Sequence, residues 1–151
     1  MMEIFGGDNA ESYYDEGLTA SLRGDVAMAT QCFESAIRLD QSMASAYHQL
    51  GKCYARTGKV ERAVKMLEQV VRKRPRFTAA RIDLALTLVQ ASQYDTARKH
   101  FEQVLAAEPT NTKALIGLAS IDFELGQWDA ALDCAQKAQS AGGANFSTLY
   151  M

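Results

Sequence analysis

The chain has 151 residues, of which 48% are hydrophobic and 23% charged, and its formal net charge is −2. This near-neutral balance excludes the strongly basic surface of nucleic-acid-binding proteins, and no apolar run reaches the ~18–20 residues that a membrane span requires. The three cysteines, Cys32, Cys53 and Cys134, are odd in number and widely spaced. They indicate neither a disulfide framework nor a metal site, and they favour a cytoplasmic protein.

In chain order, residues 1–9 are too short for a capping helix, and we treat them as an N-terminal extension. Four segments of 34 residues follow, which we call repeats 1 to 4: 10–43, 44–77, 78–111 and 112–145. Their apolar residues recur at i, i+3, i+4 and i+7, the spacing of an amphipathic helix. We therefore predict that each repeat contains a helix A, a tight turn, a helix B and a short connection.

The same residue types return at the same place in every repeat. A small residue stands at each predicted turn, and an alanine follows five residues later: Gly24, Gly58, Ser92 and Gly126, then Ala29, Ala63, Ala97 and Ala131. Glycine suits the left-handed residue that ends many helices, and Pro75 and Pro109 cannot continue the helix before them. Such a fixed period is typical of stacked helix–turn–helix units.

A close contact between helices A and B is predicted for each repeat. Helix A carries a small residue at Gly17, Gly51, Ala85 and Ala119. Together with the recurring alanine of helix B, it lets the two backbones approach. Larger residues, among them Tyr54, Leu67 and Phe101, are expected to fill the gaps between repeats.

The residues of repeat 2 resemble the tetratricopeptide repeat pattern W-x-x-L-G-x-x-Y, A-x-x-x-F, P. They supply Leu50, Gly51, Tyr54, Ala63 and Pro75. Repeat 1 departs most from the pattern, since it has Glu16, Ala20 and Gln41 in place of Leu, Tyr and Pro. The resemblance covers nearly the whole chain and implies an all-α fold, a right-handed α-solenoid of four tandem repeats. A plain helical bundle, the alternative fold, would not require the 34-residue phasing.

The resemblance also implies that helix A of each repeat lines a concave groove for a partner protein. The predicted groove residues are Tyr14, Leu18, His48, Lys52, Arg56, Ile82, Leu86, Val89, Lys113, Ile116 and Phe123. His48, Lys52 and Arg56 follow one helix face and suit either a bound carboxylate or phosphate, or a solvated face with nothing bound. The apolar members suit either a partner contact or packing beneath neighbouring repeats.

Some tetratricopeptide domains bind the C-terminal carboxylates of chaperones with a clamp of Lys, Asn and Arg. This chain has Tyr14 and Leu18 where the clamp's first unit carries Lys and Asn. It has Ala79 and Asp83 where the third unit carries Lys and Arg. We therefore predict that the carboxylate clamp is absent.

Catalytic, cofactor-binding and metal-binding residues are not predicted. His48 and His100 lie on different repeats, and Cys53 is turned about 140° from His48 around a helix, which does not suit a Cys–His pair. The basic run 72–76 resembles a nuclear-import or nucleic-acid patch, but cations are also favoured at a helix C-terminus by the helix dipole.

The last segment, 146–151, resembles the start of a further helix A, either a capping helix or a truncated one. Helix B of repeat 4 has an outer apolar stripe of Trp128, Ala131, Leu132 and Ala135. We expect Phe146, Leu149 and Tyr150 to fold back onto this stripe or to pack against a second copy.

The functional expectation is a non-enzymatic scaffold or adaptor that binds a peptide or helix of a partner protein. The alternatives are a self-associating assembly segment, with a homo-oligomer formed through the C-terminal face, and a fragment of a larger protein.

Overall fold

A computed structural model describes residues 9–142 of the chain. Over this range the chain forms eight α-helices and no β-strand, so the predicted helical class is confirmed. The helices alternate between 13 and 14 residues in length: α1 (Ala10–Leu22), α2 (Val26–Leu39), α3 (Ala44–Arg56), α4 (Val60–Lys73), α5 (Thr78–Gln90), α6 (Tyr94–Ala107), α7 (Thr112–Glu124) and α8 (Trp128–Ala141). Each repeat contains one pair of them, helix A and then helix B.

The turn inside each repeat has the left-handed residue that the sequence predicts. Gly24, Gly58 and Gly126 have φ between +73° and +83°, and Ser92 has φ +60°. A Cβ at Gly58 would meet nothing within 4 Å, so only the backbone conformation favours glycine there. The same hydrogen bond closes every turn, from a backbone N–H to the carbonyl five residues earlier, as from Lys59 to Tyr54 at 2.8 Å.

The chain divides into two compact halves, Met1–Ala80 and Arg81–Met151. In the N-terminal half, the core joins buried residues of α1, α2 and α3 with Ala63 of α4: Ala20, Ala29, Phe33, Leu50, Cys53, Tyr54 and Ala63. The Tyr54 hydroxyl donates to Glu34 Oε1 at 3.0 Å, which connects the helix pair of repeat 1 to repeat 2.

Glycines let helices A and B of repeats 1 and 2 approach each other. A Cβ at Gly17 would lie 2.6 Å from Phe33 Cε1, and one at Gly51 would lie 2.8 Å from Leu67 Cγ. The space that each glycine leaves is therefore filled by a bulky side chain of its own repeat. The sequence predicts that Leu67 fills a gap between repeats, whereas the structure places it against Gly51 of its own repeat. Ala63 is fully buried nearby.

In the C-terminal half, an apolar contact and an ion pair join α7 to α6. Gly117 lies directly on the ring of Phe101, which is fully buried. Arg98 Nη2 donates to Asp122 Oδ1 at 2.6 Å, and the Asp122 side chain is 3% exposed. This pair neutralises a carboxylate that would be costly to bury alone.

Candidate functional site

The predicted groove residues of α1 are half-buried. The Tyr14 ring packs on Phe33, with 5.7 Å between ring centroids, and both Tyr14 and Leu18 contact the core of the N-terminal half. Leu22, one turn after Leu18, is exposed. Tyr14 and Leu18 therefore contribute to packing as well as to the surface of α1.

The structure separates the members of the predicted cationic row on α3. Lys52 and Arg56 are exposed, and Arg56 Nη1 lies 3.4 Å from Ser21 Oγ. His48 is only 5% exposed, and its ring meets Phe77 edge-on at 5.0 Å between centroids. The exposed part of this row is therefore Lys52 and Arg56, and His48 is a packing residue.

The predicted groove residues of α5 and α7 are divided in a similar way. Ile82 is 5% exposed and Val89 is half-buried. Leu86, Ile116 and Phe123 are instead between 46% and 60% exposed, and Lys113 is exposed beside them on α7. Large apolar side chains that are exposed to this extent commonly mark an interaction surface.

A groove of about 960 Å³ lies along α7 and α8, and we call it the α7–α8 groove. Alanines and larger apolar side chains line most of it; the residues discussed below are Ile116, Ala119, Phe123, Trp128, Leu132 and Ala135. Phe123 and Trp128 meet edge to face at 5.0 Å, and Trp128 and Leu132 are exposed. Phe146, Leu149 and Tyr150, which we expected to cover this face, lie outside the described residues.

The basic run 72–76 begins in the last turn of α4, where cations are favoured by the helix dipole. Arg72, Lys73, Arg74 and Arg76 are all exposed, and Lys73 Nζ lies 5.6 Å from the centre of the Tyr47 ring. Arg74, Pro75, Arg76 and Phe77 also line a shallow cavity of about 720 Å³ with Ser45.

Burial and neighbouring charges set the environments of His100 and the cysteines. His100 Nδ1 lies 3.1 Å from Arg81 Nη1, and its pKa is lowered by burial and by this guanidinium. Burial raises the pKa of the Cys32 and Cys53 thiols, which keeps them protonated and less nucleophilic. Among residues 9–142, no three His, Cys, Asp or Glu side chains are grouped as metal ligands.

No helix within the described part of the chain is long and apolar enough to cross a membrane.

Two family models match the sequence. A model described as "Tetratricopeptide repeat" matches residues 88–145. One described as "Anaphase-promoting complex, cyclosome, subunit 3" matches residues 8–104, which is more than half of the chain. The chain belongs to the tetratricopeptide repeat family. Together the two matches span residues 8–145, which contain the helix pairs described above.

Solved structures of tetratricopeptide proteins have the same fold. A crystal structure of MamA has a TM-score of 0.82 at 20% identity, covering 93% of this chain and 82% of that one. MamA from Desulfovibrio magneticus RS-1, from residue 41 onwards, has a TM-score of 0.79 at 25% identity, with 89% and 76% covered.

YrrB, described as "a TPR protein with an unusual peptide-binding site", has a TM-score of 0.79 at 20% identity, with 95% and 74% covered. No curated protein matches the chain in sequence. The all-α tetratricopeptide fold is therefore confirmed by structures that share about a fifth to a quarter of its residues.

Proposed function

We propose that this chain is a non-enzymatic scaffold that binds a peptide or helix of a partner protein along the exposed side of its A helices. The observation that carries the proposal is the exposure of Leu86, Ile116 and Phe123. We call these three residues, with Lys113 of α7, the helix-A surface, and we treat Lys52 and Arg56 of α3 separately. The tetratricopeptide family, whose A helices line a concave groove, supports the choice of this side.

The exposed cations of α3 indicate the chemistry of the partner. Lys52 and Arg56 are one helical turn apart on α3, and both are exposed. We expect the partner segment to be mainly apolar, with acidic groups that face these two cations. Tyr14 and Leu18 of α1 and Ile82 and Val89 of α5 remain in the proposal as buried or half-buried residues of the A helices, and His48 remains as a packing residue of α3.

The carboxylate clamp is not part of this proposal. Ala79 and Asp83 occupy positions where the clamp needs cations, and a carboxylate at Asp83 would repel a terminal carboxylate. YrrB binds a peptide at a site that its description calls unusual. By analogy, we propose a peptide mode other than the clamp.

Lack of catalysis and a cytoplasmic location are further parts of the proposal. The free thiols Cys32 and Cys53 are buried and Cys134 is half-buried. Free, protonated thiols fit a reducing compartment.

Self-association is the second candidate function, and the exposed Trp128 and Leu132 favour it. Size-exclusion chromatography with light scattering separates the two functions. A monomer supports the adaptor, and a concentration-dependent oligomer supports assembly.

A pull-down with matched variants tests the helix-A surface. Leu86→Glu places a charge in the proposed contact, whereas Leu39→Glu makes the same change at an exposed leucine on α2, a B helix. We expect specific partners to be captured by the wild type and Leu39→Glu and lost with Leu86→Glu. Partners that bind all three proteins equally would contradict the proposal.

A further inference from the structure

The α7–α8 groove shows which helix would fit it, because the same face of the preceding B helix is covered by α7. The contacts between α7 and α6 include the ring of Phe101 against Gly117 and the guanidinium of Arg98 against Asp122. The contact order is antiparallel, since the later residue of α7 meets the earlier residue of α6. These contacts define what a covering helix must provide.

Both α6 contact residues are changed at the equivalent positions of α8. Thirty-four residues later, Arg98 is replaced by Leu132 and Phe101 by Ala135. A helix that packs on α8 therefore meets Leu132 where α7 meets the cation of Arg98, and Leu132 favours an apolar partner. The same helix meets the methyl group of Ala135 where α7 meets the ring of Phe101. The volume that Phe101 fills in repeat 3 is therefore open beside Ala135 in the groove.

The charges beside the groove are acidic at one end. Glu124 lines the groove and Asp129 is exposed at the start of α8, whereas Asp133 is already paired with Lys137 at 3.0 Å. If a covering helix lay antiparallel on α8, as α7 lies on α6, its C-terminal end would be at this acidic end. Basic residues at that end of the partner would be favoured.

We propose that the α7–α8 groove binds an amphipathic helix of another protein. This helix carries a bulky apolar residue at the place of Gly117, an apolar residue at the place of Asp122, and Lys or Arg near its C-terminus. The site is additional to the helix-A surface: it shares Ile116 and Phe123 with that surface but depends on Leu132 and Ala135 of α8.

The A helices at either end of a second copy fit this groove poorly. In the 34-residue period, Asp15 of α1 is equivalent to Gly117 of α7. If α1 of a second copy occupied the groove, the Asp15 carboxylate would enter the apolar space beside Ala135. α7 itself would place Asp122 on Leu132 and its own Glu124 towards the acidic end. A helix of different sequence is therefore the better occupant.

The probes for this proposal are two labelled peptides with the sequence of residues 111–126. One is the parent, and the other carries Gly117→Phe, Asp122→Leu and Glu124→Lys. Fluorescence anisotropy with the full chain should show at least about tenfold tighter binding of the substituted peptide, the gain expected from burying one aromatic side chain.

Variants of α8 make the test specific. Ala135→Phe fills the open volume and should weaken the substituted peptide about tenfold. Ala130→Phe makes the same change at an exposed alanine that does not line the groove, and should leave binding unchanged. Leu132→Arg should shift the preference towards the parent peptide by restoring the pair with Asp122. Leu86→Glu should not affect these affinities, which separates this test from that of the helix-A surface.

Three results would overturn the proposal. The first is equal affinity of the two peptides, or equal effects of Ala135→Phe and Ala130→Phe. The second is a dimer of the wild type that Ala135→Phe converts to a monomer, which assigns the groove to a second copy. The third is peptide binding only after residues 143–151 are deleted, which assigns the groove to the chain's own terminal segment.

Discussion

Replacement of Gly117 by alanine tests the packing between repeats 3 and 4 most sharply. The new Cβ would lie 2.5 and 2.6 Å from Cε1 and Cε2 of Phe101, and closer still to Cζ, whereas carbon atoms pack at ~3.5–4.0 Å. The Phe101 ring is fully buried, so it cannot move aside freely. Overpacking costs about 1–3 kcal/mol, and the higher helix propensity of alanine returns about 1 kcal/mol.

We therefore expect Gly117→Ala to lower the free energy of unfolding by about 1 kcal/mol net, which corresponds to a fall in Tm of about 2–4 °C. Urea denaturation followed by circular dichroism measures this change. Gly51→Ala should cost less, because its Cβ would meet the aliphatic side chain of Leu67 at 2.8 Å. Phe101→Leu should reduce the cost of Gly117→Ala in a double-mutant cycle. If Gly117→Ala is as stable as the wild type, the contact described here is wrong.

Three further changes test other parts of the fold. Ser92→Gly should raise the free energy of unfolding by about 0.5–1 kcal/mol in urea, because Ser92 holds φ +60°; a loss of stability would show that its side chain matters more than its backbone. Arg98→Met should lower it by about 3 kcal/mol, since Asp122 would stay buried without its cation, and a cost below about 1 kcal/mol would contradict that view. The lowered pKa of His100 means that the unfolded chain binds its proton first, so stability should fall as pH drops below the ordinary value of 6.5. His100→Gln should flatten this dependence in thermal melts, and an unchanged slope would assign it to other groups.

The repeat period predicts the eight helices and their turns because each repeat must form the same local structure. It even predicts the left-handed residue at Ser92, where the side chain itself argues for another conformation. The resemblance to the tetratricopeptide family pointed to Leu86, Ile116 and Phe123, which the structure leaves exposed. These features depend on neighbours in the sequence or on the position within a repeat.

Burial that depends on a particular neighbour could not be predicted in the same way. His48 lies on the same helix face as Lys52 and Arg56, yet Phe77, 29 positions later, packs against its ring. Gly117 is out of phase with the small residues at 51, 85 and 119, so the period gives no sign of its contact with Phe101. The significance of Ala135 and Leu132 appears only when the contacts of Phe101 and Arg98 are known.

Hydroxyl-radical footprinting of the chain, alone and with a partner captured by the wild type, tests the proposed interaction surface most directly. The exposed side chains Leu86, Ile116 and Phe123 should be oxidised less when the partner is bound. Met28 and Leu39, which are exposed on the B helix α2, should be oxidised as before. Protection of Met28 and Leu39 with unchanged oxidation of the first three residues would place the partner on the B helices and contradict the account.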